Sequence, residues 1–289
     1  DAKDIMHVRI DRRRKLPATV LLRALGYDEE FLLDYYYENV TLTFKKEGTG
    51  SIDFHPDTML GKRSTRDLLV DGKLVVARNR VIQKGHLRRL GWTLDEKGKW
   101  SAAKGALKHS IIDAESMEKQ VLSQDLVDKK TGEVLAKCNQ ALDAETVEAL
   151  VAAGVKKAQV LLIDGLNMQD FLSKTLNKDG MTSPEEALEE IYRRMRPGDP
   201  PTTEAAQALF DRLFFNKERY NLSRVGRHKL NHKFELDEPA DNLVLTKRDV
   251  LEAVRYLLEV RHGRRPVDDI DHLGNRRIRS VGELLENQY

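Results

Sequence analysis

The chain of 289 residues has few of the residues that mark secreted or membrane proteins. Its single cysteine, Cys138, excludes an internal disulfide and fits a reducing cytoplasm. No apolar run approaches the length needed to cross a bilayer, and no charged-then-apolar signal segment opens the sequence. With 40% hydrophobic and 33% charged residues, the composition predicts a soluble, globular, cytoplasmic protein long enough for two domains.

The common signatures of catalysis are also missing. There is no GxxxxGK[ST] loop and no GxGxxG after a strand, and Gly61-Lys62 lacks the upstream glycine of a phosphate loop. No serine occupies a GxSxG elbow, and Cys138 lies in a predicted strand without a histidine or second cysteine nearby. We therefore predict no catalytic residue in this chain.

Positive charge gathers near the two ends. The 49 basic and 47 acidic residues give a net charge of only +2, which by itself argues for no polyanionic partner. Yet RIDRRRK, residues 9–15, holds five cations against one acid, and residues 261–279 hold six arginines. A solvated face is the plainest explanation of such runs. For Arg12 to Arg14, contact with DNA and pairing with the acids at residues 28–30 both remain open.

Apolar spacing and capping residues predict helical ends around a β-rich middle. The predicted caps are Asp28, Asp143 and two capping boxes, Ser183 with Glu186 and Thr246 with Asp249. Helices are predicted at KLPATVLLRALG, DEEFLLDYYYE, SPEEALEEIYRRM, EAAQALFDRLFF and LTKRDVLEAVRYLLEVRHG, the last burying Val250, Val254, Leu257 and Leu258. Between them we expect the strand VTLTF, hairpins turning at Asp71-Gly72 and near Gly132, and DAETVEALVAAG as a helix leading into the strand QVLLI. We find no internal repeat.

The predicted fold is therefore α/β in the mixed, α+β sense. A mainly helical lobe domain is built from residues 1–40 and 164–289, and an inserted β-rich α/β module occupies residues 41–163. Both ends are expected to be cut, because the first residue is not Met and RRIRSVGELLENQY has helical spacing that should continue. The chain is thus expected to be a piece of a larger protein.

The segment VDDIDHLGNRRIRSVGELLENQY, residues 267–289, concentrates charge of both signs. Its aspartates and His272 can in principle hold Mg²⁺, but metal sites usually draw ligands from several elements, and capping or solvated aspartates are the simpler explanation. Arginines anchor phosphates, while a carboxylate can accept from the amino group of guanine or cytosine. Asp271 and Arg276 therefore indicate base readout, with an internal salt bridge as an equally good alternative.

Several long motifs resemble the β subunit of bacterial DNA-directed RNA polymerase, in the same order. They are IDRRRKLPATVLLRALGY, IYRRMRPGDPPT, LFF, RYNLS with VGRHKLN behind it, and DDIDHLGNRRIRSVGELLENQ. They cover the first forty or so residues and most of the chain from Asn167 onward. The middle module resembles the lineage-specific insertion that some bacterial groups carry at this point of the β lobe.

The resemblance implies that this is the β lobe, one wall of the cleft that receives downstream DNA. In the family, the lobe helps to form a pocket for a guanine of the nontemplate strand. The matching positions are Asp11, Ile270, Asp271 and Arg276, and Arg12 beside Asp11 is included as a nucleic-acid contact. By this resemblance Asp271 accepts from the guanine edge, Arg276 braces base and backbone, and Ile270 packs against the ring. Asp11 lines the pocket from the other end of the chain.

The resemblance also sets the expected partners and cofactors. The partners are DNA, as nontemplate strand and downstream duplex, the polymerase subunits β′, α and ω, and sigma factor, in the bacterial cytoplasm at the nucleoid. No cofactor is expected here, since the Mg²⁺ of polymerisation is held by β′. The tryptophan that stacks on a neighbouring nontemplate base should precede Asp1, and other pocket walls should follow Tyr289. The isolated fragment is therefore expected to bind DNA weakly.

Two other functions stay open at this point. The lobe can be a scaffold and the insertion a docking platform for transcription factors, in which case Trp92 or Trp100 should lie on the surface; a buried pair is the alternative we favour. A nuclease using the aspartate cluster would require divalent-dependent cleavage of DNA by the purified fragment.

Overall fold

The computed structural model describes residues 4–13, 15–45, 49–112, 114–128, 131–218, 221–276, 278, 280–286 and 288; Arg14, Arg277 and Arg279 lie outside them. The helices are α1 (Ala18–Ala24), α2 (Glu29–Tyr36), α3 (Pro56–Met59), α4 (Lys84–Arg89), α5 (Ala114–Glu118), α6 (Ala144–Ala152), α7 (Phe171–Asp179), α8 (Pro184–Met195), α9 (Thr203–Phe214), α10 (Ser223–Phe234), α11 (Lys247–Arg261) and α12 (Val281–Glu286). The strands are β1 (His7–Val8), β2 (Leu16–Pro17), β3 (Asn39–Phe44), β4 (Gly50–Asp53), β5 (Leu68–Val70), β6 (Lys73–Val76), β7 (Trp92–Leu94), β8 (Trp100–Ala102), β9 (His109–Ile112), β10 (Leu126–Val127), β11 (Val134–Ala136) and β12 (Lys157–Leu161).

Side-chain caps fix where several helices begin, as the sequence predicts. Asp28, Asp143, Ser183 and Thr246 each accept a hydrogen bond from the backbone N–H three residues further on, at 2.7 to 3.2 Å. Such bonds satisfy donors that the first helical turn leaves without a partner. The predicted cap residues are therefore confirmed. Glu186, expected to complete a capping box, accepts instead from the backbone and hydroxyl of the residue before Ser183.

The largest sheet has four antiparallel strands in the order β12-β3-β4-β9. β3 lies in its interior, where Val40 pairs with Val160 and Leu42 pairs with Ile52. The other sheets in the described part of the chain are two-stranded hairpins or ribbons, and both predicted hairpins are present. Helices and small antiparallel sheets together confirm the mixed α+β class.

Buried apolar residues form three clusters. The lobe core joins residues 6–37 to residues 161–258, the sheet core lies within residues 40–160, and the tryptophan core lies within residues 54–100. Trp92 and Trp100 are both buried in the tryptophan core, as favoured from the sequence. The domain boundaries after residues 40 and 163 stay a prediction.

Two sequence assignments are corrected by the structure. On α11, Leu257 is 50% exposed, and Leu251 is the buried residue that the predicted stripe missed. The spacing of apolar residues in one helix does not show which residues at the edge of the apolar stripe will be covered by neighbouring elements. Cys138 does not lie in a strand; it follows β11 in a turn, where its thiol contacts the backbone carbonyl of Ser123 at 3.2 Å.

Residues 41–163, which are predicted to be an inserted module and which we call the inserted region, contain a structural repeat that is not evident in the sequence. Residues 56–91, the first unit, contain α3, the β5–β6 hairpin and α4; residues 114–154, the second unit, contain α5, the β10–β11 hairpin and α6. Each unit ends at a glycine with left-handed backbone, Gly91 (φ 88°) and Gly154 (φ 80°). In each hairpin the strand register shifts at the same point, after the first residue pair.

Hydrogen bonds recur at equivalent positions of the two units. In the first unit, backbone N–H groups donate from Ser64 to the carbonyl of Arg80 (2.9 Å), from Asn79 to the carbonyl of Ser64 (2.6 Å) and from Arg78 to the Asp67 carboxylate (2.7 Å). The equivalent bonds of the second unit run from Leu122 to the carbonyl of Gln140 (3.0 Å), from Asn139 to the carbonyl of Leu122 (2.9 Å) and from Cys138 to the Asp125 carboxylate (2.6 Å). Equivalent residues lie 58 positions apart before the hairpin loop and 60 positions apart after it. The difference arises because the loop is two residues longer in the second unit. Few side chains are shared, and for this reason the sequence hid the repeat.

Candidate nucleic-acid interface

The predicted site residues Ile270, Asp271 and Arg276 lie in a loop between α11 and α12. We call residues 267–276 the acidic loop. It contains one short 3-10 turn, Leu273–Asn275, and the rest of it is irregular. Ile270 is 81% exposed and the Asp271 side chain 83% exposed, so both are available to a partner. Arg276 donates a hydrogen bond to the Asp271 carboxylate and also lies in solvent.

Two lysines of α10 hold the acidic loop in place. Lys233 pairs with Asp268, and Lys229 donates to the backbone carbonyl of Gly274. They stand four residues apart, so they share one face of the helix. The Lys233 ammonium also lies 4.4 Å from the centre of the Tyr256 ring on α11. These supporting cations were not predicted from the sequence, although their i, i+4 spacing in VGRHKLNHKF places both on one face of a helix.

The three aspartates of the acidic loop already have partners. Asp268 is paired with Lys233, and Asp271 with Arg276. The Asp269 carboxylate accepts from the backbone N–H of Asp271 at 3.1 Å, and its carbonyl accepts from the Asn275 side chain at 2.7 Å. Within the described residues, no group of three or more histidine, cysteine or carboxylate side chains has the arrangement of a metal site. The geometry thus favours capping and pairing for these aspartates.

A buried ion pair fixes α10 on α11, the two helices that carry the acidic loop. Arg227 is 0% exposed and donates through Nη1 to both carboxylate oxygens of Asp249, at 2.8 and 2.9 Å. Its remaining nitrogens donate to the backbone carbonyls of Asn242, at 2.8 Å, and Val244. Asp249 also accepts from the backbone N–H of Thr246 at 2.7 Å, which completes the predicted capping box of α11.

At the end of α11, His262 joins the helix to the chain that follows the inserted region. Its Nδ1 donates to the carbonyl of Leu258 at 2.6 Å, and its Nε2 accepts from the backbone N–H of Gln169 at 3.0 Å. These bonds fix the neutral tautomer. Burial lowers the pKa of His262, and the hydrogen bond to Leu258 acts in the opposite direction.

Asp11 and Arg12 occupy a turn near the other end of the chain. Both are exposed and have left-handed backbone, with φ of 48° and 57°. In the parts of the chain that the structure describes, no hydrogen bond or ion pair joins either residue to the acidic loop. Arg12 makes no ion pair there with the acids at residues 28–30, and Glu29 pairs with Arg23 instead, at 2.9 Å. The structure therefore brings Asp271 and Arg276 together, and does not join Asp11 or Arg12 to them.

The two ends of the chain nevertheless meet. Asp4 pairs with Arg261 at 3.2 Å, and the Arg261 guanidinium lies 5.2 Å from the centre of the Phe171 ring. A cavity of about 350 Å³ opens between this segment and α11, lined in part by Met6 and Leu257. Residues of the N-terminal segment and of α11 also share the lobe core.

Comparisons with known proteins match part of the chain to a family model. Residues 152–279 match the family model of RNA polymerase Rpb2, domain 2. The match contains the acidic loop and both helices that hold it, and begins after Asp11 and Arg12. In the described residues no helix is long and apolar enough to cross a membrane.

Curated relatives match the chain over its whole length. Over an alignment 307 positions long it is 47% identical to the DNA-directed RNA polymerase subunit beta of Anaeromyxobacter sp. (strain Fw109-5), and over one 295 positions long it is 48% identical to that of Syntrophotalea carbinolica. The same subunit of Myxococcus xanthus is 46% identical over 306. The chain spans about a fifth of the length of these relatives, covering 20 to 21% of each. The resemblance to the β subunit is thus confirmed, and the chain corresponds to a section of that subunit.

Proposed function

We propose that this section forms one wall of the downstream DNA cleft of an RNA polymerase and reads one nontemplate base through the acidic loop. The observation that carries the proposal is the exposed pair of Asp271 and Arg276, with Ile270 exposed beside it. A carboxylate and a guanidinium in contact can accept from the edge of a guanine and donate to the adjoining phosphate. The proposed partners are DNA and the other polymerase subunits, because the chain covers only about a fifth of the β subunits it matches.

The support of the acidic loop favours readout over general electrostatic attraction. A base can be discriminated only if the reading groups are held in a fixed position. Here Lys229 and Lys233 hold both sides of the loop on α10, and Arg227 with Asp249 fixes α10 against α11. An acid would also weaken a purely electrostatic site, which gives Asp271 a role that phosphate attraction alone does not explain.

Asp11 and Arg12 belong to the proposal as a second wall. Their consecutive left-handed backbone conformations are unfavourable for residues other than glycine, and such conformations gather at functional sites. Contact between this turn and the acidic loop would be made through the bound base, since the two are not joined directly in the described residues.

The alternative, in which the insertion docks transcription factors, expected Trp92 or Trp100 on the surface. Trp92 and Trp100 are buried in the tryptophan core, and the Trp92 indole donates to the backbone carbonyl of Leu107 at 3.0 Å. A buried, hydrogen-bonded tryptophan serves packing and does not offer a surface to a partner. The base-reading function therefore has the stronger support.

The test uses reconstituted polymerase whose β subunit carries Asp271→Ala. Open-complex lifetime is measured on promoters that differ only in guanine or another base at the nontemplate position facing the pocket. A good base contact gives about 1–3 kcal/mol of discrimination, so the wild type should prefer guanine by roughly 5- to 150-fold and the variant should not. Asp237→Ala, an exposed aspartate outside the acidic loop, is the matched control and should keep the preference. If wild type and Asp271→Ala treat all bases alike, the Asp271 and Arg276 pair is only an internal brace.

A further inference from the structure

The two units of the inserted region carry opposite charge on the same backbone frame. The first unit, residues 56–91, has nine basic and three acidic residues, and the second unit, residues 114–154, has four basic and eight acidic residues. Their net charges are thus +6 and −4, in a chain whose total is +2. We call the shared set of helices, hairpin and hydrogen bonds the frame. A charge of one unit that is missing at the equivalent position of the other is not needed for this frame to form.

Besides Lys73 at the hairpin loop, whose equivalent is Glu133, six exposed cations of the first unit have uncharged or acidic equivalents in the second. Arg63, Arg78, Arg80, Lys84, Arg88 and Arg89 correspond to Val121, Cys138, Gln140, Ala144, Glu148 and Ala149. The buried positions, by contrast, stay apolar, since Leu87 corresponds to Val147 and Leu90 to Leu150. The second unit therefore shows that this frame forms without the six cations. We call these six residues the cationic face.

The cationic face is not neutralised within the described part of the chain, where none of its members makes an ion pair. Arg63 donates through Nη1 to the backbone carbonyl of Asn79 at 3.0 Å, which places it at the turn that carries Arg78 and Arg80. α4 begins four residues after Arg80 and buries its apolar residues, so its three cations emerge on the outward side. Clustered like charges repel one another, and a polyanion bound to them would relieve that repulsion.

One part of the equivalent surface of the second unit, the turn at Asn139, packs inside the chain. Asn139 is only 2% exposed, and its side-chain amide donates to the carbonyl of Ser173 at 3.2 Å and to the side chain of Asn177 at 3.0 Å, both on α7. Asn79 has the same left-handed backbone, with φ of 65° against 62°, but is exposed. One turn thus packs on the lobe, and its counterpart presents arginines to solvent.

We propose that the cationic face binds the phosphates of duplex DNA. Five of its six members are arginines, whose planar guanidinium can hold two phosphate oxygens at once. Protein interfaces usually centre on aromatic anchors, whereas both tryptophans of the inserted region are buried, which favours phosphates over an acidic protein segment. The inference rests on the proposed function, because it requires DNA to pass the lobe, but it involves none of the acidic-loop residues.

The test uses whole reconstituted polymerase and a linear duplex of mixed sequence. The variant Arg80→Gln, Lys84→Ala and Arg89→Ala places the second unit's own residues on the first, so the frame is expected to form. Affinity is measured as a function of salt concentration. Removing one cation that neutralises a phosphate lowers the slope of log affinity against log salt by about one, so the slope should fall by about two to three. Arg88→Glu alone, again the second unit's residue, should lower it by about one.

Controls separate a specific face from general charge. The triple variant Lys97→Gln, Lys99→Gln and Lys104→Gln removes the same charge from exposed positions around β8 and should leave the slope unchanged. An equal fall in both triple variants, or an unchanged slope in the first, overturns the proposal. If polyglutamate binds the wild type but not the first variant while the slope on DNA is unchanged, the face serves an acidic protein segment and the proposal is wrong. Guanine preference should survive in the first variant, and Asp271→Ala should keep the wild-type slope, so each proposal can fail alone.

Discussion

Breaking the buried ion pair of Arg227 and Asp249 should loosen the two helices that carry the acidic loop. The guanidinium has no access to water, and each of its three nitrogens donates to Asp249 or to a backbone carbonyl. In Asp249→Ala the buried charge loses its partner, which costs about 3–5 kcal/mol. The same change removes the bond from the Thr246 N–H that caps α11, which costs about 1 kcal/mol more.

The assay should follow α10 and α11 separately from the rest of the chain. The lobe, sheet and tryptophan cores are separate clusters, so an unfolding midpoint of the whole chain would not isolate the stability of α10 and α11. Native-state hydrogen exchange at the amides of α10 and α11 reports their local stability. A loss of about 3 kcal/mol corresponds to exchange faster by roughly a hundredfold, since each 1.4 kcal/mol is tenfold.

A surface pair of the same chemistry provides the control. Arg194 contacts Glu190 on α8 at 2.8 Å with both side chains partly in solvent, and Arg194→Ala should cost less than about 1 kcal/mol. The double variant Arg227→Met and Asp249→Leu should cost less than the two single changes added together, because it leaves no unpaired buried charge. If exchange in Asp249→Ala stays within about threefold of the wild type, the argument that this pair fixes the helices is refuted.

Two further predictions concern other parts of the chain. In Gly91→Ala the new Cβ would lie 2.6 Å from the Cα of Ala106, and the backbone φ of +88° is unfavourable for alanine. The change should therefore destabilise the first unit by more than the roughly 1 kcal/mol expected for the control Gly98→Ala, where φ is +79° and the space is open. Denaturation followed by the fluorescence of the chain's two tryptophans compares the stabilities of the two variants. Because the pKa of His262 is lowered in the folded chain, the unfolded chain binds a proton at this histidine more readily. The stabilisation by neutral His262 is therefore present above about pH 6.5 and is lost as the pH falls below that value. The free energy of unfolding measured from pH 7.5 to 5 should depend less on pH in His262→Gln than in the wild type, and an equal dependence would contradict the assignment.

Local signals in the sequence were sufficient for much of the fold. Asp28, Asp143 and Thr246 begin helices because a side-chain oxygen before an apolar stripe satisfies a backbone donor nearby, whatever the rest of the chain does. The hairpin at Asp71 and Gly72 forms for a similar reason, since its turn needs two left-handed residues. The contact of Asp271 with Arg276 was one of two alternatives left open by the sequence, because a separation of five residues within one loop allows a salt bridge but does not require it.

Contacts between distant segments could not be read in this way. Pairing of Arg227 with Asp249, the bond from Gln169 to His262 and the exposure of Leu257 each depend on which elements pack together. The repeat was hidden because backbone hydrogen bonds preserve a frame while side chains diverge.

The sequence by itself determined several of the helices, among them α2, α6 and α11, together with both predicted hairpins, the mixed α+β class and the resemblance to the polymerase β subunit. All of these depend on short-range patterns or on motifs read in order. The tertiary structure alone decided that α10 holds the acidic loop, that no bond among the described residues joins Asp11 or Arg12 to it, and that the Asn139 turn packs on α7 while the equivalent Asn79 turn is exposed. These features depend on burial, and burial is a property of the packed chain, where residues far apart in sequence compete for the same interior.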